Sequence, residues 1–425
     1  MTQVTRGRVG DLAVHGGAPV REKAFPAWPQ FGEEEHANLL QVLDSGEWSE
    51  PGGGAFVQTF ERAFADLHGV AHGVAVMNGS VSLTLILRAM GIGSGDEVIV
   101  PAYTFLATAT AVLEVNALPI FVDIDPGTWC ISPDAVEAAI TPRTRAIIPV
   151  HLGGHPADMD RLCEIARRHG VRLIEDAAHA HGAVWNGRPV GSWGEVGSFS
   201  MQASKNLTGG EGGIVVTNDP EMAELITSFR NCGRQKDGIW YEHVRLGGNY
   251  RMTEFQAAIL TAQMTRFDEQ RMRRDANGRI LNAGLAEIDG IRPQRRDPRT
   301  SIHGNHLYWF RYDRAAFDGL SRELFLDALK AEGVPCSPGY PVPLNRQPLF
   351  VNRAFDTRAT SYDPDYAPTR FGALDLPVTE AICNEVVMLP QSLLLGDAAD
   401  MDDVIAAVRK IQRAVNRQGA ASFAA

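Results

Sequence analysis

Residues 171–182, Val-Arg-Leu-Ile-Glu-Asp-Ala-Ala-His-Ala-His-Gly, join a short apolar run to a loop that is rich in ionisable side chains. The run 171–174 predicts a buried strand. The amphipathic stretch 159–169 before it predicts a helix, and 145–149 predicts another strand before that helix. A strand, a helix and a second strand in this order indicate two parallel strands joined by a crossover helix.

The same alternation extends toward the N-terminus. Short apolar strands are predicted at 74–77, 97–100 and 119–122. Helical patterns lie before and between them, at 33–43, 56–67, 83–90 and 133–140. A further helical stretch follows the strand at 97–100 and ends at residue 113. Nearly continuous apolar strands between amphipathic helices predict an α/β fold, in which a parallel sheet is covered by helices on both faces.

Beyond about residue 213 the pattern changes. A strand at 214–217 is followed by a long helical connector at 253–282, and then by a mixture of short strands and helices (306–312, 323–332 and 401–415). We therefore predict a loosely held N-terminal arm (1–25), a large domain (26–270), a smaller α+β domain (271–417) and a frayed tail (418–425).

The composition limits the classes of function. Forty Lys and Arg against 51 Asp and Glu give the 425-residue chain a net charge of −11, which argues against nucleic acid as a partner. No apolar run reaches the roughly 18 residues that a membrane-spanning helix needs, and no secretory signal is expected. Five cysteines without a CxxC pair suggest neither disulfides nor a metal site. These features predict a cytoplasmic protein with no membrane partner.

Two carboxylates and two histidines follow the strand at 171–174. Because the carboxyl ends of parallel strands gather at one edge of a sheet, ligands bind there. Asp176 in this apolar setting needs a cationic partner, although a helix N-cap explains it equally well. His179 and His181 are either site residues or a surface pair, and no third metal ligand is near.

A lysine stands in the segment 197–213, Gly-Ser-Phe-Ser-Met-Gln-Ala-Ser-Lys-Asn-Leu-Thr-Gly-Gly-Glu-Gly-Gly. Lys205 is flanked by hydroxyl residues and followed by glycines. A buried lysine has a lowered pKa and can form a Schiff base. The glycines alone could be a surface turn, and they lack the order GxxxxGK[ST] of a nucleotide-triphosphate loop.

Two further segments lie where a strand is followed by a helix. Residues 77–80 (Met-Asn-Gly-Ser) could bind a phosphate at a helix N-terminus, and 101–105 (Pro-Ala-Tyr-Thr-Phe) could place an aromatic ring beside a planar ligand. Each motif alone has an ordinary structural explanation. Together, an acid for a ring nitrogen, a lysine for an aldehyde, a phosphate site and an aromatic ring describe pyridoxal 5′-phosphate as the cofactor.

An ordered set of motifs resembles the DegT-type sugar aminotransferases of the aspartate-aminotransferase-like fold I group, from about residue 25 to 415. The motifs are 78–80, 100–105, 149–153 (Pro-Val-His-Leu-Gly), 175–179, 199–213 and 248–252 (Gly-Asn-Tyr-Arg-Met). The resemblance implies a large domain with a mostly parallel seven-stranded sheet and a smaller C-terminal α+β domain.

The resemblance also implies a role for each matching residue. Lys205 would form the Schiff base and move a proton, and Asp176 would pair with the pyridinium nitrogen. His179 would stand near the phenolic oxygen of the cofactor. The remaining positions implied to bind the cofactor are Gly79, Ser80 and Ser200 at the phosphate and Phe105 on the ring, with Tyr103 as the second choice.

Asn249 matches the residue that reaches the phosphate from the neighbouring subunit, so the resemblance implies a homodimer with shared active sites. Because Lys205 is retained where dehydratase relatives have histidine, amino transfer is favoured over dehydration. Glutamate or glutamine would be the amino donor and a small ketone the acceptor. A non-catalytic protein on the same fold would have lost one of these residues.

The acceptor is predicted from a branch of the family. Residues 176–183, 199–202 and 231–234, with 16–21 and 25–29, are similar to the branch of scyllo-inosose and 2-deoxy-scyllo-inosose aminotransferases and 3-amino-5-hydroxybenzoate synthase. We therefore expect a cyclitol ketone in aminocyclitol or amino-sugar biosynthesis. The alternatives are a nucleotide-linked keto-sugar and an aminating, aromatising reaction. The loop 339–343 is a candidate for lining the mouth of the site.

Overall fold

The structure is a computed structural model that describes residues 12–49, 54–363 and 365–423. Up to residue 176, helices and strands alternate as predicted, and four further strands in succession precede the next helix. In chain order they are α1 (Glu33–Ser45), α2 (Ala55–His68), β1 (His72–Val76), α3 (Gly79–Ala89), β2 (Glu97–Pro101), α4 (Ala107–Glu114), β3 (Leu118–Val122), α5 (Pro133–Ala139), β4 (Thr144–Ile147), α6 (Met159–His169), β5 (Arg172–Asp176), β6 (Val184–Trp185), β7 (Arg188–Pro189), β8 (Val196–Ser200), β9 (Gly213–Thr217) and α7 (Pro220–Arg230).

Seven of these strands form one sheet in the order β1-β9-β8-β5-β4-β2-β3. Only β9 runs antiparallel to its neighbours, β1 and β8. The reason is the connection 201–212, which has no crossover helix of the kind that joins parallel strands. The predicted mostly parallel seven-stranded sheet is therefore confirmed. Its one antiparallel strand makes the segment of Lys205 a direct link between two adjacent strands.

Helix α3 begins at Gly79 and not at the predicted residue 83. The side chain of Asn78 caps it, since Asn78 Oδ1 accepts the backbone N–H of Val81 at 2.9 Å. This bond satisfies one of the donors that a first helical turn leaves free. The earlier start places a helix N-terminus, and not a loop, at residues 79 and 80.

A single helix, α8 (Glu254–Ala286), leads into the C-terminal part of the chain. It runs through the predicted domain boundary at 270–271, so that boundary stays a prediction. The later elements are β10 (Ile291–Pro293), β11 (Thr300–Ile302), β12 (Leu307–Tyr312), α9 (Arg322–Ala331), α10 (Pro348–Val351), α11 (Pro377–Glu385), β13 (Val386–Pro390) and α12 (Ala398–Gln418). Strands β10, β12 and β13 form an antiparallel sheet, while β11 pairs with β6 beside β7. This mixture is the α+β composition that the sequence predicts.

Both ends of the described chain are held against the C-terminal helices. Arg21 is 5% exposed and forms ion pairs with Asp400 (2.7 Å) and Asp403 (2.8 Å). Phe423 is 7% exposed and packs in the C-terminal core. Arg21 and Phe423 are therefore packed within segments that the sequence predicts as a loosely held arm (1–25) and a frayed tail (418–425), and the division of the chain at these boundaries stays a prediction. Residues 1–11 and 424–425 of those two segments lie outside the described residues.

Candidate active site

Asp176 is the last residue of β5 and is 5% exposed. Its Oδ2 accepts the hydroxyl of Thr108, on α4, at 2.8 Å, and its Oδ1 accepts the N–H of Ala178 at 3.2 Å. Burial raises the pKa of Asp176, while these two hydrogen bonds and the charge of Lys205 oppose the rise. The alternative role as a helix N-cap is not what the structure shows, since no helix begins at 177.

Lys205 is half-buried in the link between β8 and β9. Burial lowers the pKa of its ammonium group to about 8, and the negative charge of Asp176 opposes this shift. The charge of each group therefore affects the pKa of the other, which shows that the predicted pair lies close together. A lysine with a pKa near 8 is partly neutral at physiological pH, as a nucleophilic amine must be.

Two neutral imidazoles lie beside this pair. His179 Nδ1 accepts the N–H of Gly153 at 3.3 Å, so the ring proton of the neutral form sits on Nε2. Burial first, and then the charge of Lys205, lower the pKa of His179 well below its usual range. Its ring centroid is 4.6 Å from that of His306, which is also buried. His306 is a site residue that the sequence analysis missed.

The predicted phosphate site is built from α3 and β8. A Cβ placed on Gly79 would lie only 2.6 Å from Cβ of Ser200, so glycine is required for this approach. Gly79 and Ser80 form the first turn of α3, whose N–H groups and dipole favour an anion. Gly79, Ser80 and Ser200 are therefore together at one end of the sheet.

The aromatic residues after β2 separate into two environments. Phe105 is 58% exposed, so its ring is accessible to a planar ligand. Tyr103, the second candidate, is 1% exposed and packs against Trp309 and Tyr340, with ring centroids 6.1 and 5.7 Å away. Tyr340 belongs to the predicted mouth loop 339–343. Burial raises the pKa of its hydroxyl above the usual range, and the charge of Asp176 adds to the rise.

Asn249 is exposed at the surface, where its backbone bridges to Asn231. His181, the other histidine of the loop after β5, is buried and bonds through Nε2 to the carbonyl of Ser200 at 2.9 Å. It is therefore not part of a surface pair. Among the described residues, no group of three or more His, Cys, Asp or Glu side chains could hold a metal, and no helix could span a membrane.

A second carboxylate supports Asp176 from the opposite face of β5. Glu175 is fully buried and accepts the N–H groups of Gly191 (2.6 Å), Trp193 (2.7 Å) and Gly194 (2.7 Å). It also accepts the Nε2–H of His151 at 2.9 Å. The His151 backbone N–H in turn donates to the Asp176 carbonyl at 3.1 Å. Both residues stand in motifs that resemble the family, but the sequence predicts no role for either.

A lysine, a buried aspartate and a helix N-terminus lie at one end of the sheet, as the resemblance to the sugar aminotransferases implies. Residues 29–409 match the DegT/DnrJ/EryC1/StrS aminotransferase family, and the chain belongs to this family. Its predicted fold and its predicted membership are thereby confirmed.

Three known proteins show how similar the chain is to particular members. It is 45% identical over 417 residues, 96% of this chain and 99% of the other, to a Streptoalloteichus tenebrarius protein provisionally named L-glutamine:3-amino-2,3-dideoxy-scyllo-inosose aminotransferase. It is 42% identical over 420 residues, 95% and 98% of the two chains, to the L-glutamine:2-deoxy-scyllo-inosose aminotransferase of Streptomyces fradiae. The solved structure of 3-amino-5-hydroxybenzoic acid synthase superimposes with a TM-score of 0.81 at 38% identity, covering 93% of this chain and all of that one.

Proposed function

We propose that this aminotransferase uses pyridoxal 5′-phosphate to move the α-amino group of L-glutamine to the ketone of a deoxy-scyllo-inosose-type cyclitol. The observation that carries the proposal is the similarity over 95% or more of this chain to two aminotransferases named for these substrates. Lys205 beside Asp176 supplies the chemistry that such a transfer needs. Glutamine is thereby preferred to glutamate, the other donor that the sequence left open.

The residues present fit the cofactor. The close approach of Gly79 to Ser200 at the start of α3 makes a cradle that a Cβ would fill, which suits a phosphate. Asp176 would hold the pyridinium nitrogen, His179 the phenolic oxygen and Phe105 the ring face. When bound, the cofactor supplies an electron sink that makes the α-proton of the amine acidic.

The chain's own groups would then handle protons and charge. Lys205, with a pKa lowered to about 8, can accept a proton at Nζ and return it without a large change in free energy. The carboxylate of Asp176 at the end of β5 accepts the hydroxyl of Thr108, and this hydrogen bond favours its charged form. His179, neutral with its proton on Nε2, can donate a hydrogen bond to an oxygen anion.

The substrate is tested by supplying the protein with pyridoxal 5′-phosphate and glutamine labelled with ¹⁵N at the α-amino group. Three acceptors are offered separately: 2-deoxy-scyllo-inosose, 3-amino-2,3-dideoxy-scyllo-inosose and a nucleotide-linked 4-keto-sugar. Mass spectrometry of the labelled amine is the readout. We expect label in one or both cyclitols. Label only in the nucleotide-linked sugar would overturn the acceptor while keeping amino transfer.

A second candidate, the aminating and aromatising reaction, is supported by the similarity to 3-amino-5-hydroxybenzoic acid synthase. It would give an aromatic product with near-ultraviolet absorbance, which an aminocyclitol lacks. A further incubation uses an unsaturated amino-ketone as acceptor. The near-ultraviolet absorbance of its product separates the two reactions.

The homodimer with shared sites is also part of this proposal. An apolar surface loop, residues 239–246, exposes Ile239 (76%), Trp240 (71%), Tyr241 (75%) and Leu246 (87%). Surface patches of this kind favour a protein partner. The loop precedes Asn249, and the neighbouring Tyr250 carbonyl accepts the N–H of Met77, two residues from Gly79. The exposed apolar side chains support a protein partner, and the resemblance to the family implies that this partner is a second copy of the chain. A cytoplasmic location stays a prediction.

A further inference from the structure

Lys205 lies in a stretch of backbone without regular secondary structure, residues 201–209. Within the stretch, Lys205 N–H donates to Gln202 O at 2.8 Å, and Gly209 N–H donates to Met201 O at 3.1 Å. Such local bonds give the stretch a turn but do not fix it to the rest of the molecule. Two side-chain hydrogen bonds, one on each side of Lys205, join the stretch to distant parts of the chain.

The upstream bond comes from the N-terminal segment. Trp28 Nε1–H donates to the carbonyl of Ala203, two residues before Lys205, at 2.9 Å. The indole ring lies 5.1 Å from the guanidinium carbon of Arg274 on α8. Arg274 is fully buried, its Nε donates to Gln391 Oε1 at 2.9 Å, and both Nη atoms lack a hydrogen-bond partner among the described residues. The ring face lies beside that charge, and this cation–π contact helps to hold Trp28 in place.

The downstream bond comes from Asn206, the residue after Lys205. Asn206 is 2% exposed, and its Nδ2–H donates to the carbonyl of Gly304 at 2.6 Å. Gly304 N–H donates in turn to Gly154 O at 2.8 Å. Gly153, next to it, donates to His179. The backbone of Lys205 is thus tied to the same support that orients His179.

We propose that Trp28 and Asn206 are positioning residues for Lys205, which clamp residues 203–206 from two sides and hold the lysine amine beside Asp176. This inference rests on the proposed function of Lys205 as the residue that bonds the cofactor. Trp28 reaches the site from before α1, so the clamp gives the N-terminal segment a role in cofactor attachment. Loosening either bond lets water reach the amine and makes its orientation less fixed.

The test measures attachment of the cofactor and not turnover. The full-length protein is incubated with pyridoxal 5′-phosphate between pH 6.5 and 9.5 and reduced with borohydride, and the pyridoxyl group on Lys205 is quantified by peptide mass spectrometry. Trp28→Phe keeps an aromatic ring but removes the indole N–H donor. Asn206→Ser has a side chain too short to donate to the Gly304 carbonyl. We expect attachment roughly 3- to 10-fold slower at pH 7.5, with the pH of half-maximal rate moved upward, because a more hydrated lysine has a higher pKa.

Two control variants match these changes elsewhere in the molecule. Trp193 donates through Nε1 to Arg188 O at 3.2 Å and lies 4.9 Å from the Arg188 guanidinium, and Asn345 donates to Phe371 O at 2.9 Å from a buried position. Trp193→Phe and Asn345→Ser are expected to attach cofactor at the wild-type rate.

Attachment in both test variants with wild-type rate and pH dependence would overturn the clamp. If Asn206→Ser fails to fold, shown by circular dichroism, the half-buried Trp28→Phe decides alone. A wild-type protein modified at other lysines and not at Lys205 would instead contradict the proposed function.

Discussion

At the scale of single residues, the chemistry depends on the amine of Lys205. Because no other side chain is proposed to bond the cofactor, Lys205→Ala is expected to lower transamination by at least about 1,000-fold. Lys205 is half-buried in a link without regular structure, so the fold should survive. Steady-state turnover of labelled glutamine and the melting temperature are the two measurements. Near wild-type turnover in a folded variant would remove Lys205 from the mechanism.

The hydroxyl of Thr108 contributes to the pKa of Asp176. Burial raises the pKa of Asp176, and the 2.8 Å hydrogen bond from Thr108 lowers it. Thr108→Val removes the lowering contribution, so the pKa rises further and the carboxylate is protonated at higher pH. The acid limb of the kcat/KM profile should therefore move to higher pH. Thr110→Val, whose hydroxyl bonds within α4 to Leu106 O, is the control. An unmoved acid limb in Thr108→Val would mean that Asp176 does not govern it.

The residues whose closeness could be expected from the sequence are those at the ends of neighbouring strands. Asp176 is the last residue of β5 and Lys205 follows the end of β8; these strands are neighbours in the sheet, so the closeness of the two residues can be predicted. His306 and the Glu175–His151 pair could not be found in the same way. His306 comes from the end of a different sheet, and Glu175 points to the face opposite Asp176. Only tertiary packing, which no local pattern records, brings these groups to the site.

At the scale of elements, Glu254 joins two helices. It is the first residue of α8, yet its carboxylate accepts the N–H groups of Phe56 (2.9 Å) and Val57 (3.1 Å) at the start of α2. It is 3% exposed, so water does not replace it. Glu254→Gln removes the charge at that helix N-terminus and should cost about 1–2 kcal/mol of unfolding free energy.

Chemical denaturation of the reconstituted protein measures this cost. Glu34→Gln in the first turn of α1, an exposed position, is expected to change the unfolding free energy by less than about 0.5 kcal/mol. Equal effects of the two substitutions would show that the carboxylate of Glu254 does not cap α2. The sequence predicted both helices. It gave no sign of a cap supplied from about 200 residues away, because such a contact has no local spacing.

At the scale of the whole molecule, the proposed active unit is a pair of chains that exchange Asn249. In a heterodimer of Lys205→Ala and Asn249→Ala subunits, the site built on the second subunit keeps its own Lys205 and receives Asn249 from the first. That site is intact, while the other lacks both residues. Random pairing puts about half of the chains in such heterodimers, so about a quarter of wild-type activity should return. Each variant alone is expected to be far less active.

The mixing is done by denaturing and refolding both variants together, with two different affinity tags to confirm heterodimers. Rescue identifies a shared site, because an Asn249 that served its own subunit would leave both sites of the heterodimer damaged. Heterodimers without any gain in activity would therefore show that Asn249 serves the active site of its own chain.

Trp240→Lys tests the same pair of chains from the exposed loop 239–246. A charge introduced in this apolar loop should weaken the association of the two chains. Sedimentation should then show monomers, and activity should fall with dilution, since a separated subunit lacks the partner's Asn249.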